Sequence, residues 1–407
     1  MPSFRVLIAG GGIGGLCLAQ GLRKSGIECT LFEAAGGIAP SGYRLHMNSA
    51  GGRALQECLP ENLYELYLRT SRTTPRREVF VQLDHRGNEL GARPHIGPPN
   101  DPVRPHTAVN RRTLRQIMAA GLEGVIHFGR TVTGFEQDGD RVRVHLADGS
   151  SATGDILVAA DGINSVIRRR LLPKVPVVDT HILGMYATAP LTDDLAATLP
   201  EALFDGFAAA SGPDGALIVY GVYQPRRPIA EAAAELAPGA QIDPVDPYIM
   251  VNLGIIPGSP FSREAPDLWK ASAEERHEVM RQAVRGWDPA LAEAVARIDA
   301  STLFPVAVRH LEPADPWTTS RVTLLGDAIH AMPPTFGAGA NNALRDAAAL
   351  TRALTEVVHG DVPLLKAVAE YEAEMRAEVF PILRASADPR AFDSDFLPDE
   401  LTVPDRD

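Results

Sequence analysis

Apolar residues open the chain as a strand and then fall into a helical rhythm. Phe4 to Ala9 is a buried-strand run, a glycine cluster follows, and the apolar spacing from about Ile13 to Lys24 is that of a helix ended by Gly26. Ile27 to Phe32 reads as a second strand closing on Glu33, so the chain opens as a βαβ unit. Residues 48–58 and Arg111 to Leu122 have helical spacing, and Val79 to Leu83 followed by the turn residues Asp84 to Asn88 predicts a hairpin over 78–92. Pro and Gly crowd 94–105, which reads as a long connection. Short strands are predicted around 130–136, 142–147 and 155–160, the last ending at Asp161-Gly162. Between about 176 and 300 the alternation becomes that of antiparallel strands, as in Ala216 to Tyr223, with two helices near 272–285 and 289–298. A strand, Val322 to Leu325, leads into a second glycine-rich turn, an Ala-rich helix over 341–357 and a further helix over about 362–385. Pro389 to Asp407 is acidic and proline-containing and predicts a flexible tail.

Composition narrows the function classes. A chain of 407 residues fits two domains, and 45% apolar with 22% charged residues is globular. A net charge of −12 argues against a nucleic-acid surface, and the local Arg168-Arg169-Arg170 run suits a solvated helix end. No run of about 18 apolar residues exists to span a membrane. The first residues lack a basic leader and a signal-length apolar core, so they are expected to form a strand of a cytoplasmic protein. Cys17, Cys29 and Cys58 form no C-x-x-C pair and suit a reducing compartment as small core residues.

The first chemistry-bearing motif is Gly10-Gly11-Gly12-Ile13-Gly14-Gly15, a G-x-G-x-x-G pattern at the strand-to-helix turn. Gly10 permits the tight turn, Gly12 lets a pyrophosphate approach the backbone, and Gly15 lets the helix pack on the sheet. The helix start offers N–H groups and a positive dipole end, with Ile13 and Gly14 in its first turn. Glu33, 18 residues after Gly15 and followed by Ala34, can accept both ribose hydroxyls of an adenosine. These residues predict a dinucleotide without separating FAD from NAD.

The second constellation separates them. Gly326-Asp327-Ala328-Ile329-His330-Ala331-Met332-Pro333-Pro334 follows a buried strand and runs through Phe336-Gly337-Ala338-Gly339-Ala340-Asn341 into a helix. Asp327 can accept hydrogen bonds from a polyol, and Pro333 and Pro334 can wall a flat ring without competing N–H donors. The second helix start suits the anionic charge of a reduced flavin.

This stretch, continuing to Asp346-Ala347, resembles the second FAD motif of the flavoprotein aromatic hydroxylases, the para-hydroxybenzoate hydroxylase family. Asp161-Gly162-Ile163-Asn164-Ser165-Val166-Ile167-Arg168 is similar to that family's Asp-Gly motif, which implies contacts of Asp161, Gly162 and Arg168 with FAD and a part in nicotinamide use. Val109 to Leu114 resembles its Arg-x-x-Leu helix start, which implies that Arg111 reaches the FAD backbone. The three signatures lie in the family's order over residues 10 to about 350. Ala338 departs from the glutamine of many members, which implies a slightly altered flavin edge.

The resemblance implies an α/β fold: a Rossmann-like FAD-binding domain interrupted by a mostly antiparallel β-sheet substrate domain, with C-terminal helices. The expected boundaries are 1–75, 106–176 and 300–388 for the FAD domain and 76–105 and 177–299 for the substrate domain, with 389–407 a flexible tail. It also implies a single-component monooxygenase. NADPH or NADH reduces FAD, O2 forms a flavin C4a-hydroperoxide, and this hydroxylates an electron-rich aromatic or polyketide-like small molecule. An epoxidase or Baeyer-Villiger-type oxygenase shares the motifs, and a non-enzymatic FAD-binding module is the alternative from another class. A halogenase is disfavoured because Trp269, Trp287 and Trp317 are scattered, and an NAD dehydrogenase would leave the second motif unused.

Other candidates are weaker. Arg44, with His46 in the segment Ser41 to Asn48, falls where the family's loop approaches the flavin and is taken as a flavin or nicotinamide contact; the alternative is a surface arginine paired with a carboxylate. His330 is taken as structural. Tyr186, Phe204, Phe207, Tyr220 and Tyr223 either line an apolar pocket or fill a core, and core is the commoner use. The sequence names no base for the substrate and no oligomeric state.

Overall fold

The computed structural model describes residues 4–39, 42–95, 101, 103, 106–264, 267–392 and 396. Its strands, in chain order, are β1 (Arg5–Ala9), β2 (Glu28–Glu33), β3 (Arg44–Met47), β4 (Val79–Asp84), β5 (Glu89–Pro94), β6 (Thr107–Asn110), β7 (Ile126–Phe128), β8 (Val132–Asp138), β9 (Arg141–Leu146), β10 (Ser151–Gly154), β11 (Ile156–Ala159), β12 (Val177–Pro190), β13 (Phe207–Ser211), β14 (Leu217–Tyr223), β15 (Tyr248–Ile255), β16 (Phe304–Leu311) and β17 (Val322–Leu324).

Five of them form a parallel sheet in the order β17-β11-β1-β2-β7. The central strands read as unbroken apolar runs, Val6 to Ala9 and Ile156 to Ala159, because the sheet is covered both by helices and by the small antiparallel sheet β10-β9-β8, and all eight residues are buried. The helices Ile13–Lys24 and Gly339–His359 pack on each other and on Ser49–Cys58, joining this sheet in one apolar core with Leu364–Ser386 behind. The Gly10 crossover from β1 to β2 is the βαβ unit expected from the sequence.

The second large sheet has seven strands in the order β16-β12-β15-β14-β13-β4-β5, antiparallel except where β13 runs alongside β4. One face packs on the helices Ala273–Ala283 and Pro289–Ala296 around Met185, Ile218, Leu253 and Leu291, a core separate from the first. The hairpin expected over 78–92 supplies β4 and β5 at its edge.

Several expectations need correction. Residues from 300 onward are expected in the FAD domain, yet Phe304–Leu311 pairs along β12 from Tyr186↔Phe304 to Val177↔Leu311 as the edge strand of the seven-stranded sheet. The strand expected over 155–160 is β11, and a further strand not anticipated, β10, precedes it, with Gly154 packed against Leu7 where the chain turns between them. The helix Glu61–Thr70 and the small β3–β6 sheet were not anticipated. Pro389–Phe392, placed in the tail, forms a helical turn with Ala391 fully buried beside Phe336; the rest of that tail except Phe396 lies outside the described residues, as does most of the 94–105 connection.

Candidate active site

A cavity of 640 Å³ lies between the glycine turns of the parallel sheet and one face of the seven-stranded sheet. The first turn divides its glycines by task. Gly10 has φ +106°, and a Cβ there would lie 2.3 Å from the Ala160 carbonyl. A Cβ on Gly15 would lie 2.0 Å from the Gly10 carbonyl, so the helix packs through that point. At Gly12 the nearest atom to such a Cβ is 4.0 Å away, and Gly12, Ile13 and Gly14 line the cavity. The Glu33 carboxylate accepts from the N–H groups of Gly11 at 2.6 Å and Ala35 at 2.8 Å, with Ala34 exposed beside it.

Arg111 lines the cavity with its guanidinium 5.6 Å over the Tyr43 ring. One turn on, buried Arg115 donates to the Gly11 carbonyl at 2.8 Å and fixes the glycine turn, a role the sequence reading missed. The signal was present, since positions four apart share a helix face.

At the second turn Gly326 has φ +59°, and its N–H donates to Asp346 Oδ2 at 2.9 Å. The same oxygen meets His330 Nε2 at 2.6 Å. Burial opposes a charged imidazole there, but Asp346 outweighs it and raises the His330 pKa. His330 therefore braces the turn. Asp327 lines the cavity, exposed and without a hydrogen-bond partner among the described residues. Pro333, Pro334, Gly337, Gly339 and Ala340 line it too, with Gly337 in the left-handed region at φ +62°.

Some expected contacts lie elsewhere. Arg168 does not line the cavity; its buried guanidinium donates to the carbonyls of Ile163 and Ala328 and ties the Asp161-Gly162 loop to the second turn. Asn341 spends its side chain on the Asn48 N–H and the carbonyls of His46 and Gly337. Gly162 lines the cavity, whereas Asp161 sits behind it with Oδ1 buried and unpartnered, its pKa raised by that burial. Arg44 lines the cavity, but its hydrogen bonds go to the carbonyls of Val222 and Gly206 and its guanidinium lies 4.0 Å over Phe207, so it is held by the seven-stranded sheet.

The helices Ser49–Cys58 and Arg111–Ala119 are capped by Asn48 and Asn110. The two helices that begin at the glycine turns, Ile13–Lys24 and Gly339–His359, have no side-chain cap. Their free N–H groups face the cavity and can accept anionic groups. Two such termini, open space at Gly12 and a proline wall at 333–334 fit FAD: diphosphate at the first, flavin ring at the second.

The opposite wall follows from strand register. Gln82, Ala209, Val219, Asn252, Tyr186 and Phe304 stand directly opposite one another across β4, β13, β14, β15, β12 and β16. All but Phe304 line the cavity. The small side chains of Ala209 and Val219 leave an open apolar floor roughly 10 Å across, the width of three strands. Tyr186 stacks on Phe304 at 5.7 Å, and Phe207 also lines the cavity. Tyr220 and Tyr223 are core, with hydroxyls on the carbonyls of Leu291 and Thr70, and Phe204 packs on the second core.

Residues 3–384 match the FAD binding domain family. Salicylate hydroxylase of Pseudomonas putida is 30% identical over 367 residues, covering 86% of this chain and 77% of that protein. The dual O-methyltransferase/FAD-dependent monooxygenase CTB3 of Cercospora beticola is 31% identical over 91% of this chain, which spans only 44% of that relative's length. A structure from Photorhabdus luminescens subsp. laumondii TTO1, described as an FAD-containing monooxygenase, superposes with a TM-score of 0.78 at 31% identity, covering 94% of this chain and 96% of that one. Klebsiella pneumoniae HpxO complexed with FAD and uric acid has a TM-score of 0.71 at 22% identity over 94% of this chain and 87% of that one, a likeness of fold. The chain belongs to the FAD-binding family that includes the flavoprotein aromatic hydroxylases, and FAD is its cofactor.

Proposed function

We propose that the chain is an FAD-dependent monooxygenase that uses NADPH or NADH and O2 to hydroxylate an electron-rich aromatic or polyketide-like small molecule. The observation that carries this reading is the single enclosure joining the uncapped helix start at Gly339 to the floor at Ala209 and Val219. A flat molecule on that floor faces the flavin position.

Bound FAD, once reduced by the nicotinamide, supplies the activation of O2 and the transfer of one oxygen atom. The chain's own residues position and enclose. Gly12 and the first helix start receive the diphosphate, and Asp327 accepts from the polyol chain. Glu33 exchanges its backbone donors for ribose hydroxyls. The N–H groups at Gly339 and Ala340 stabilise negative charge on the reduced ring, while Pro333 and Pro334 wall it without competing donors. Tyr186, Phe207 and Phe336 exclude water from the reacting face, which limits wasteful loss of activated oxygen. Arg44, anchored on Phe207, keeps a positive charge near the ring and nicotinamide approach. The three free buried cysteines and the use of a reduced nicotinamide favour a cytoplasmic location.

The test is turnover under ¹⁸O2 with a panel of phenols and mass analysis of the product. One labelled oxygen as a new ring hydroxyl supports hydroxylation. Label in an epoxide or ester assigns the oxygen-inserting alternative, and no label with any substrate contradicts the monooxygenase reading.

A further inference from the structure

One end of the cavity is built of charged and titratable side chains. Arg93 and His95 lie two residues apart at the end of β5, and the strand period of two puts both on the cavity side. The His95 ring lies tilted against His46 with centroids 4.0 Å apart, and its Nε2 lies 3.3 Å from Glu78 Oε1. The other Glu78 oxygen is held by Arg72 at 2.6 Å. Gly206 makes the arrangement possible, since a Cβ there would lie 2.4 Å from His95 Nε2. Arg93 is only 5% exposed, and its guanidinium lies 4.8 Å over Phe80 and 5.2 Å over Phe336, in the second glycine turn. It has no hydrogen bond or ion pair among the described residues, and its Nε is buried without a partner.

Two kinds of ligand could use this end. The ligand atoms of His46, Glu78 and His95 lie within 4.8 Å of one another, close enough for a metal ion. The surrounding charge decides against one. Arg44 and His46 face the cluster from β3, Arg72 from the segment before β4 and His106 from the approach to β6. Two guanidinium groups, Arg44 and Arg72, therefore act on one carboxylate, half of which is already committed to Arg72, and Arg93 lines the same cavity with no counter-ion among the described residues. A buried guanidinium without a counter-ion calls for an anion.

We propose that Arg93 and His95 receive the acidic hydroxyl of the substrate, a phenol or enol, with His95 as its proton acceptor, Glu78 orienting the imidazole and Arg93 facing the oxyanion. This rests on the monooxygenase reading above. The substrate O–H bond breaks, the proton passes to His95 Nδ1, and the electron pair stays on oxygen. From there it enriches the ring carbons that an electrophilic oxygen attacks. His95 Nε2 and Glu78 Oε1 lie 3.3 Å apart without a formed hydrogen bond, a separation that a substrate hydroxyl on Nδ1 would tighten into the base–carboxylate pairing of a relay. Burial lowers the His95 pKa despite Glu78, so the imidazole is neutral and free to accept a proton. Burial opposes the Glu78 anion, but His95 and Arg72 outweigh it and keep it ionised.

The test is a pH titration of 4-nitrophenol bound to the FAD holoenzyme, read by the visible absorbance of its phenolate. The bound phenol is expected to ionise about one pH unit or more below its free value. His95→Gln should move that midpoint back towards the free value and lower kcat/KM for phenols about 100-fold or more. Arg93→Gln should weaken phenolate binding about 10-fold, and Arg93→Lys should restore part of it. Affinity for 4-nitroanisole, which has no proton to give, should be the same in wild type and His95→Gln. Glu78→Gln should shift the midpoint in the same direction and serves if His95→Gln fails to retain FAD. An unshifted midpoint in variants that retain FAD overturns the proposal, as does a wild type that binds no nitrophenol or binds it only neutral. Loss of the phenolate signal on chelation with recovery on adding Zn²⁺ overturns it in favour of a metal. FAD content and aromatic-stimulated nicotinamide oxidation, measured on the same wild-type samples, test the monooxygenase reading separately.

Discussion

Gly12 and Gly15 sit three residues apart in one turn and respond differently to a methyl group. Gly12 has φ −75°, which alanine adopts, and open space where a Cβ would go. Gly12→Ala should fold with unchanged stability and bind FAD about 10-fold more weakly, about 1.4 kcal/mol, in a fluorescence titration. Gly15→Ala forces a carbon against the Gly10 carbonyl and should yield little folded protein, read as soluble yield and helical circular dichroism. Equal behaviour of the two would remove the division of labour argued here. Asn341 poses a separate question, because its amide crosses between the β3 segment and the second turn through three hydrogen bonds of 2.9–3.1 Å. Asn341→Ala should cost about 2–3 kcal/mol in denaturant unfolding, since it leaves buried groups unpaired. A loss under about 0.5 kcal/mol would show that water replaces the amide.

The second glycine turn carries a pH dependence. The folded state raises the His330 pKa above its ordinary 6.5 through Asp346. Its stabilisation is therefore complete below about pH 6.5 and is lost as pH rises through the higher folded value. The unfolding midpoint of the wild type minus that of His330→Asn should be largest at acid pH and shrink on the alkaline side; a pH-independent difference would contradict the ion pair. The turn itself was legible because strand, glycine and helix follow one another locally. Strand β16 was not, because its pairing with β12 joins residues more than 100 positions apart and leaves no local periodicity. The four-residue strand β3 is too short to show alternation, yet it delivers both Arg44 and His46 to the cavity. On the seven-stranded sheet, Tyr186 and Phe207 face the cavity while Tyr220 points to the opposite core. Alternation showed that two faces exist, and only the assembled sheet shows which face the cavity takes.

The whole molecule places two helix starts without caps and one apolar floor around a single cavity, from segments spread over most of the chain. The glycine motifs gave away the cofactor end because close backbone approach constrains residue type. The opposite end needed the fold, since Glu78 and His95, at the open end of the β4–β5 hairpin, meet His46 only when β3 is assembled beside them. Filling the floor should separate the two ends. Ala209→Phe is expected to retain FAD and raise KM for the aromatic substrate at least about 10-fold, through lost pocket volume. An unchanged KM would move the substrate off that floor. The most direct measurement is the visible spectrum of the purified chain, reconstituted with FAD if needed, followed by NADPH and NADH oxidation in air with and without phenols. The account predicts a bound-flavin spectrum and nicotinamide consumption that a phenol accelerates with matching O2 uptake. A chain that takes up no FAD, or a flavoprotein whose nicotinamide consumption no aromatic compound changes, would contradict it.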